Sequence, residues 1–441
     1  LEKKKSKKVK NLSIKPHQTN NNLILNLKIK KKKKTESLLK NRLKVLRKKA
    51  EEDEELTTPT GAAAVVLDPK TGAVLSISSI PGYNLNFFAK GISSENFQKL
   101  KNNKFKPLFN RTIMAAVPPG SIFKLVTGTA AIEELGVEAD STFYDRNAEF
   151  TQPQWETTFK NWYPHGEGKL TFTRAIARSN NIVFYKLGYR LYKKYQGSKL
   201  VQYAKQFGLG SKTGIDLPNE KPGLVPTGEW KKEHIGHGWL PGDSINLSIG
   251  QGDLKATPIQ IAEIVSAIAN QGQMYRPYLV DKIVSKNGDI IKDKQPQIRK
   301  KLKVDKKVFK ILKSGMSQVT QSEGGTASSV FGDFPVEVAG KTGTAQTSIS
   351  NANHGWFAGF SPVKDPEIVV LVFIENGYSS INTLPVAAGI FRTYFDMKKD
   401  TDVNTKKLSN NIFMNMNNIF DKKSDSPYIL FDFFRKAFSR K

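Results

Sequence analysis

Strand-like runs stand at both ends of the central region of this chain, with a long helix-rich block between them. Near the start, Gly61-Ala62-Ala63-Ala64-Val65-Val66-Leu67 leads through Asp68-Pro69 and Thr71-Gly72, a turn signal, into Ala73-Val74-Leu75. Near the end, runs at 335–345, 355–361 and 367–375 are separated by short joints. With 62–68 and 73–79, they predict an antiparallel sheet whose strands come from distant parts of the sequence. Strands, then a helical block, then hairpin-joined strands argue α+β rather than a doubly wound parallel sheet. A last helix near Pro385 to Phe395 is expected to pack on that sheet. The chain shows no internal repeat.

Three short fragments occupy this frame in a fixed order. They are Ser121-Ile122-Phe123-Lys124, Ser179-Asn180-Asn181 and Lys341-Thr342-Gly343-Thr344, reading S-x-x-K, S-x-N and K-T-G. A serine hydroxyl is a poor nucleophile at neutral pH and needs an adjacent base. A residue three positions along a helix lies on the same face, so Lys124 can serve Ser121. Pro118-Pro119-Gly120 reads as a turn and Leu125 to Ile132 as a buried helix, which puts Ser121 at a helix N-terminus. Free backbone N–H groups and the helix dipole there favour developing negative charge. Lysine acts as a base only when burial or a cationic neighbour lowers its pKa, and Lys341 would be that neighbour. Taken alone, Ser121 and Lys124 are a helix-capping serine and a surface lysine. The three fragments together select the catalytic reading.

Ser179 and Asn181 fall between a helical pattern at 173–178 and the apolar run Ile182-Val183-Phe184-Tyr185, hence on a short inter-helix loop. A hydroxyl and an amide there can relay a proton and hold a substrate amide; the plain alternative is a helix cap. Lys341 to Thr344 follow an alternating strand-like run, and a strand edge at a site can pair with a peptide-like substrate. Gly343 permits close backbone approach. Lys341, Thr342 and Thr344 can bind a carboxylate, and the backbone N–H groups of Ser121 and Thr344 can form an oxyanion hole. Gly340-Lys341-Thr342 also resembles the end of a phosphate-binding loop. That motif requires glycine where this chain has Pro335, and no helical pattern follows. There is no G-x-S-x-G elbow, and His234 and His237 lack an accompanying H-E-x-x-H pattern, so both are taken as surface or structural residues.

The motif set resembles that of the penicillin-binding transpeptidases and serine β-lactamases. Longer stretches narrow the resemblance to class B penicillin-binding proteins, and within them to the penicillin-binding protein 2 subgroup of cell elongation. Those stretches are the hairpin at 61–75, Asn110-Arg111, Phe207-Gly208-Leu209-Gly210, Thr213 to Pro218, Pro241 to Gly252 with Thr257-Pro258, and Trp356-Phe357-Ala358-Gly359-Phe360. The resemblance covers about residues 58 to 395. It implies a penicillin-binding transpeptidase or β-lactamase-like fold, an antiparallel sheet flanked by helices. It also implies a peptidoglycan D,D-transpeptidase working through a serine acyl-enzyme in cell-wall elongation and cell shape. Its implied partners are peptidoglycan stem peptides, β-lactams, a membrane glycosyltransferase and elongation-complex proteins. Its implied location is the cytoplasmic membrane, with the catalytic domain on the periplasmic or outer face. Some members carry a metal near the second motif with a cysteine among its ligands. This chain has no cysteine, so no metal and no cofactor is expected.

The formal charge is +29, and the first 50 residues carry +17 of it, with 19 Lys or Arg against Glu2 and Glu36. The low-complexity lead 1–57 is read as a solvated, disordered tail, helical in part over Glu36 to Glu55. No nucleic acid is expected as a partner. No segment approaches the roughly 20 apolar residues that span a bilayer. The resemblance implies an anchor and a pedestal that do not fit in those 57 residues, so the chain reads as a fragment or as a product lacking its anchor. Residues 58–395 form the transpeptidase domain and 396–441 a polar linker and tail. In the tail, Ile429, Leu430, Phe433, Phe434, Ala437 and Phe438 share one helical face, so 426–440 is expected to form an amphipathic helix. Two other functions compete: a β-lactam hydrolase, for which no spacing locates the deacylating glutamate of the commonest class, and a non-catalytic binding protein or remnant.

Overall fold

The computed structural model describes residues 21–89, 91–152, 157–347, 349 and 351–395. Its centre is a five-stranded antiparallel sheet of β1 (Gly61–Leu67), β2 (Val74–Ile80), β3 (Ala339–Ala345), β4 (His354–Ser361) and β5 (Ile368–Glu375), in the spatial order β3-β4-β5-β1-β2. Strands from the two ends of the central region thus meet at the β5–β1 ladder, where Val372 pairs Ala64 and Ile374 pairs Ala62. Ile368 to Ile374 is an uninterrupted apolar run because both faces of β5 are covered. Helix α5 (Pro258–Ala269), buried at every residue, packs against β1, β4 and β5. Thr257 and Gln260 form a capping box at its start, with Pro258 at its first position, which accounts for the Thr257-Pro258 signal. Arg111, nearly fully buried, pairs with Glu375 at 2.9 Å and ties the 110–111 segment to the end of β5.

The lead differs from the expectation. Helix α1 runs from Ile29 to Glu52, beginning well before residue 36, and it belongs to the folded unit. Thr35, Leu39, Arg42, Leu43 and Leu46 form its buried stripe against β1, β2 and the last helix, α7 (Leu384–Tyr394). Arg42 Nε donates to the Asn382 carbonyl at 3.0 Å. Ahead of it, Asn22–Leu25 pairs with Val280–Val284. Residues 22–57 are therefore no disordered tail, and the expected boundary at residue 58 falls inside the domain. The physical reason is a leucine stripe at helical spacing, which the lysine-rich composition conceals. Leu43→Ala should lower stability by about 2–5 kcal/mol, the usual cost of a buried leucine. A urea titration checks this; a parental midpoint would remove α1 from the core. The expected C-terminal helix at 426–440 lies outside the described residues. Among the described residues, no helix is long and apolar enough to cross a membrane.

Helix α2 (Lys124–Leu135) follows a 3₁₀ turn, Gly120–Phe123. Helices α3 (Phe172–Arg178) and α4 (Asn181–Tyr195) flank the second motif. Helix α6 (Lys306–Gln321) packs against both α3 and β3. These contacts bring residues 121, 179 and 341 to one place.

Candidate active site

Ser121 is half-buried in the 3₁₀ turn, one turn ahead of α2 rather than at its first residue. The turn is pinned from three sides. Gly120 N donates to the Gly250 carbonyl at 3.0 Å, and Trp356 Nε1 donates to the Pro118 carbonyl at 3.1 Å. Strand β3 crosses the turn so closely that a Cβ at Gly343 would lie 2.8 Å from the Pro119 carbonyl oxygen. A Cβ at Gly120, whose φ is +55°, would lie 2.6 Å from the Thr344 carbonyl oxygen. Glycine in K-T-G is thus required by this approach, and the backbones of the Ser121 turn and Thr344 are neighbours as an oxyanion hole needs. The Ser121 hydroxyl makes no side-chain hydrogen bond among the described residues.

Lys124 and Lys341 are both fully buried. Lys124 Nζ donates to the Ser179 carbonyl at 2.7 Å and to Asn181 Oδ1 at 2.7 Å, and lies 3.4 Å from Ser179 Oγ. Two acceptors at short range satisfy the two N–H groups of a neutral amine and leave its lone pair free. Burial pushes the Lys124 amine well below its ordinary pKa, and the Lys341 charge pushes the same way. Burial lowers Lys341 to about 7. Its Nζ donates to Ser179 Oγ at 2.8 Å and to the Thr342 carbonyl at 3.1 Å. The Ser179 hydroxyl therefore stands between the two amines. It can accept from one and pass its own proton on.

Because the amines are close, their protons leave in two steps that belong to the pair. The rate of acylation should rise with pH as the first proton leaves. It should fall again as the second leaves and the positive charge held against Ser179 is lost. The falling limb should lie well below pH 10, since Lys341 is lowered to about 7. Stopped-flow acylation across pH 5 to 10 checks this; a rate still climbing at the top of that range, as for an ordinary lysine with a pKa of about 10.4, would contradict it.

Structure and sequence agree on convergence and differ in detail. Lys124, Ser179, Asn181 and Lys341 are joined by hydrogen bonds, and the Ser121 turn lies beside them, where β3 at Gly343 and Thr344 crosses it. Thr342 and Thr344 lie in the same strand, but their hydroxyls already have partners. Thr342 Oγ1 is 2.7 Å from Thr326 Oγ1, and Thr344 Oγ1 accepts from Ser380 N at 3.1 Å. Sequence reasoning missed Thr326. It follows Gly324-Gly325 in a turn after α6 with no motif around it, and only the fold brings it to β3. Away from this cluster, His234 stacks on Trp230 with ring centroids 4.7 Å apart.

Residues 62–396 match the family described as the penicillin binding protein transpeptidase domain. A peptidoglycan D,D-transpeptidase MrdA of Haemophilus influenzae is 32% identical over 361 residues, which is 78% of this chain and 54% of that protein. The chain thus spans about half the length of the curated relatives it matches. A solved structure of a peptidoglycan synthase complex that coordinates polymerization and crosslinking contains a chain with TM-score 0.75 and 31% identity, covering 87% of this chain and 64% of that one. The PBP2 of Helicobacter pylori, solved in complex with MreC, gives a TM-score of 0.72 at 28% identity, covering 85% and 64%. On the family match across most of its length, together with the convergence of the three motifs, the chain belongs to the penicillin binding protein transpeptidase domain family.

Proposed function

We propose that this chain is the catalytic part of a serine-type peptidoglycan D,D-transpeptidase of cell-wall elongation. The observation that carries the reading is the meeting of Lys124 and Lys341 on Ser179, close to the Ser121 turn. In the proposed reaction, the Ser121 oxygen attacks the carbonyl between the two terminal D-alanines of a stem peptide. Lys124 takes the hydroxyl proton. Backbone N–H groups of Ser121 and Thr344 stabilise the oxyanion. The C–N bond breaks, and Ser179, held by Lys341 and assisted by Asn181, delivers a proton to the departing D-alanine amine. Lys341, Thr342, Gly343 and Thr344 hold the substrate's terminal carboxylate. An amine of a neighbouring stem then attacks the Ser121 ester, forms the cross-link and returns the proton to the serine. A β-lactam follows the first half of this course, but its leaving group stays tethered.

The likeness to the PBP2 solved with MreC supports an elongation-complex partner, and the likeness to the synthase complex supports a polymerising glycosyltransferase partner. The resemblance to penicillin-binding protein 2 supports a place at the outer face of the cytoplasmic membrane. Time-resolved labelling with a fluorescent penicillin tests the reading. A label that persists supports a transpeptidase. A label lost within minutes points to a hydrolase, and no label points to a protein without acyl-transfer chemistry.

A further inference from the structure

The second motif is held by groups that take no part in the proposed chemistry. Ser179 has φ +52°, in the left-handed region, although it carries a side chain. Such a residue costs of order 1–3 kcal/mol and persists only where its surroundings fix it. Asn180, fully buried, donates through Nδ2 to Asp145 Oδ2 at 2.6 Å and to Glu167 Oε2 at 2.8 Å. Its Oδ1 accepts from Val183 N at 2.9 Å and starts α4. Asn161 bonds Asp145 at 2.9 Å and accepts from Asn181 N at 2.9 Å. On the other side of Ser179, Arg178 Nε donates to Glu167 Oε1, and Arg178 Nη1 donates to the Gly324 carbonyl at 2.6 Å. Thr326, two residues on, meets Thr342. The side chain of Glu167 is only 5% exposed.

We propose that Glu167 is a positioning residue of acylation: one carboxylate holds Asn180 and Arg178 on either side of Ser179, and so fixes both the Ser179 loop and the Gly324–Thr326 turn against β3. This rests on the acyl-transfer reading above. Each Glu167 oxygen takes one of the residues flanking Ser179, so no single shorter or neutral side chain satisfies both. The carboxylate also bears on the base. The charged groups acting on the Lys124 amine are Lys341 from β3, which lowers its pKa, and Glu167 from the 161–167 segment, which opposes that lowering. Asp145 stands behind Asn180, and the face towards α4 is the Phe184 ring, 5.3 Å away.

Glu167→Gln keeps the size but removes the charge and sets an amide N–H₂ against a donor. Glu167→Asp keeps the charge but shortens the reach. The test is stopped-flow acylation by a chromogenic cephalosporin from pH 5 to 10, with a thermal melt of each variant. Both variants should acylate roughly 10–100-fold more slowly, the scale of a misplaced reacting group. In Glu167→Gln the rising limb should also move to lower pH, because a negative charge near Lys124 is gone; in Glu167→Asp it should stay. Folded variants with the parental rate and profile would overturn the proposal. So would rate losses that merely track the unfolded fraction with no movement of the limb in Glu167→Gln. If the parent chain itself fails to acylate, the acyl-transfer reading falls and this proposal with it. A parent that acylates beside indifferent variants rejects this proposal alone.

Discussion

Ser121→Ala is expected to abolish covalent labelling by a fluorescent penicillin while leaving the thermal midpoint within about 1–2 °C of the parent. The first half follows from chemistry: the ester can form only on the attacking oxygen. Among the described residues of the cluster the Thr326 and Thr342 hydroxyls bond one another, the Thr344 hydroxyl accepts from Ser380 N and the Ser179 hydroxyl is held by Lys341, which leaves Ser121 as the hydroxyl without a partner. The second half follows from packing. The Ser121 hydroxyl is half-buried and makes no side-chain hydrogen bond among the described residues, and surface-type changes of this kind cost roughly 0.5 kcal/mol or less. The turn is held by Gly120, Pro118 and Trp356, none of which the substitution touches. Residual stoichiometric labelling of the variant would show that the nucleophile is elsewhere.

Lys124→Ala carries the other large effect. Loss of a general base typically slows a reaction roughly 10²–10⁴-fold, and here no second amine can substitute. Lys341 is the other fully buried amine of this cluster, but its bonds run to Ser179 Oγ and the Thr342 carbonyl. Stability moves in two opposing directions. A costly buried amine is removed, while the Ser179 carbonyl and Asn181 Oδ1 lose their donor, a penalty of about 1–3 kcal/mol for each group left unpaired and dry. Acylation should therefore collapse far more than the melting midpoint shifts. An acylation rate within threefold of the parent would remove Lys124 from the role of base.

The parts of this molecule legible in the sequence are those written in local patterns. All five strands of the central sheet were signalled by apolar or alternating runs, and the strand expected from residue 335 begins only at Ala339. The meeting of Lys124 and Lys341 on Ser179, beside the Ser121 turn, was legible because each fragment is short and the three occur in a fixed order. The missed parts depend on tertiary contact. Helix α1 was hidden because lysines dominate its composition, and its leucine stripe matters only against α7 and β2. Thr326 and Glu167 sit in loops without periodicity, and a carboxylate at 167 carries meaning only once Asn180 and Arg178 close on it. Gly250 appeared within a long matching stretch, but its reason is local crowding: at φ +74°, a Cβ there would lie 2.2 Å from the Gly120 carbonyl oxygen.

The claim on which the rest depends is that a serine ester forms at the S-x-x-K motif. Trapping the chain with a slowly released β-lactam, digesting it and mapping the adduct by tandem mass spectrometry reads that ester directly. The adduct is predicted on Ser121 alone, at up to one per chain; an adduct on Ser179 or any other serine, with Ser121 unmodified, would contradict the account.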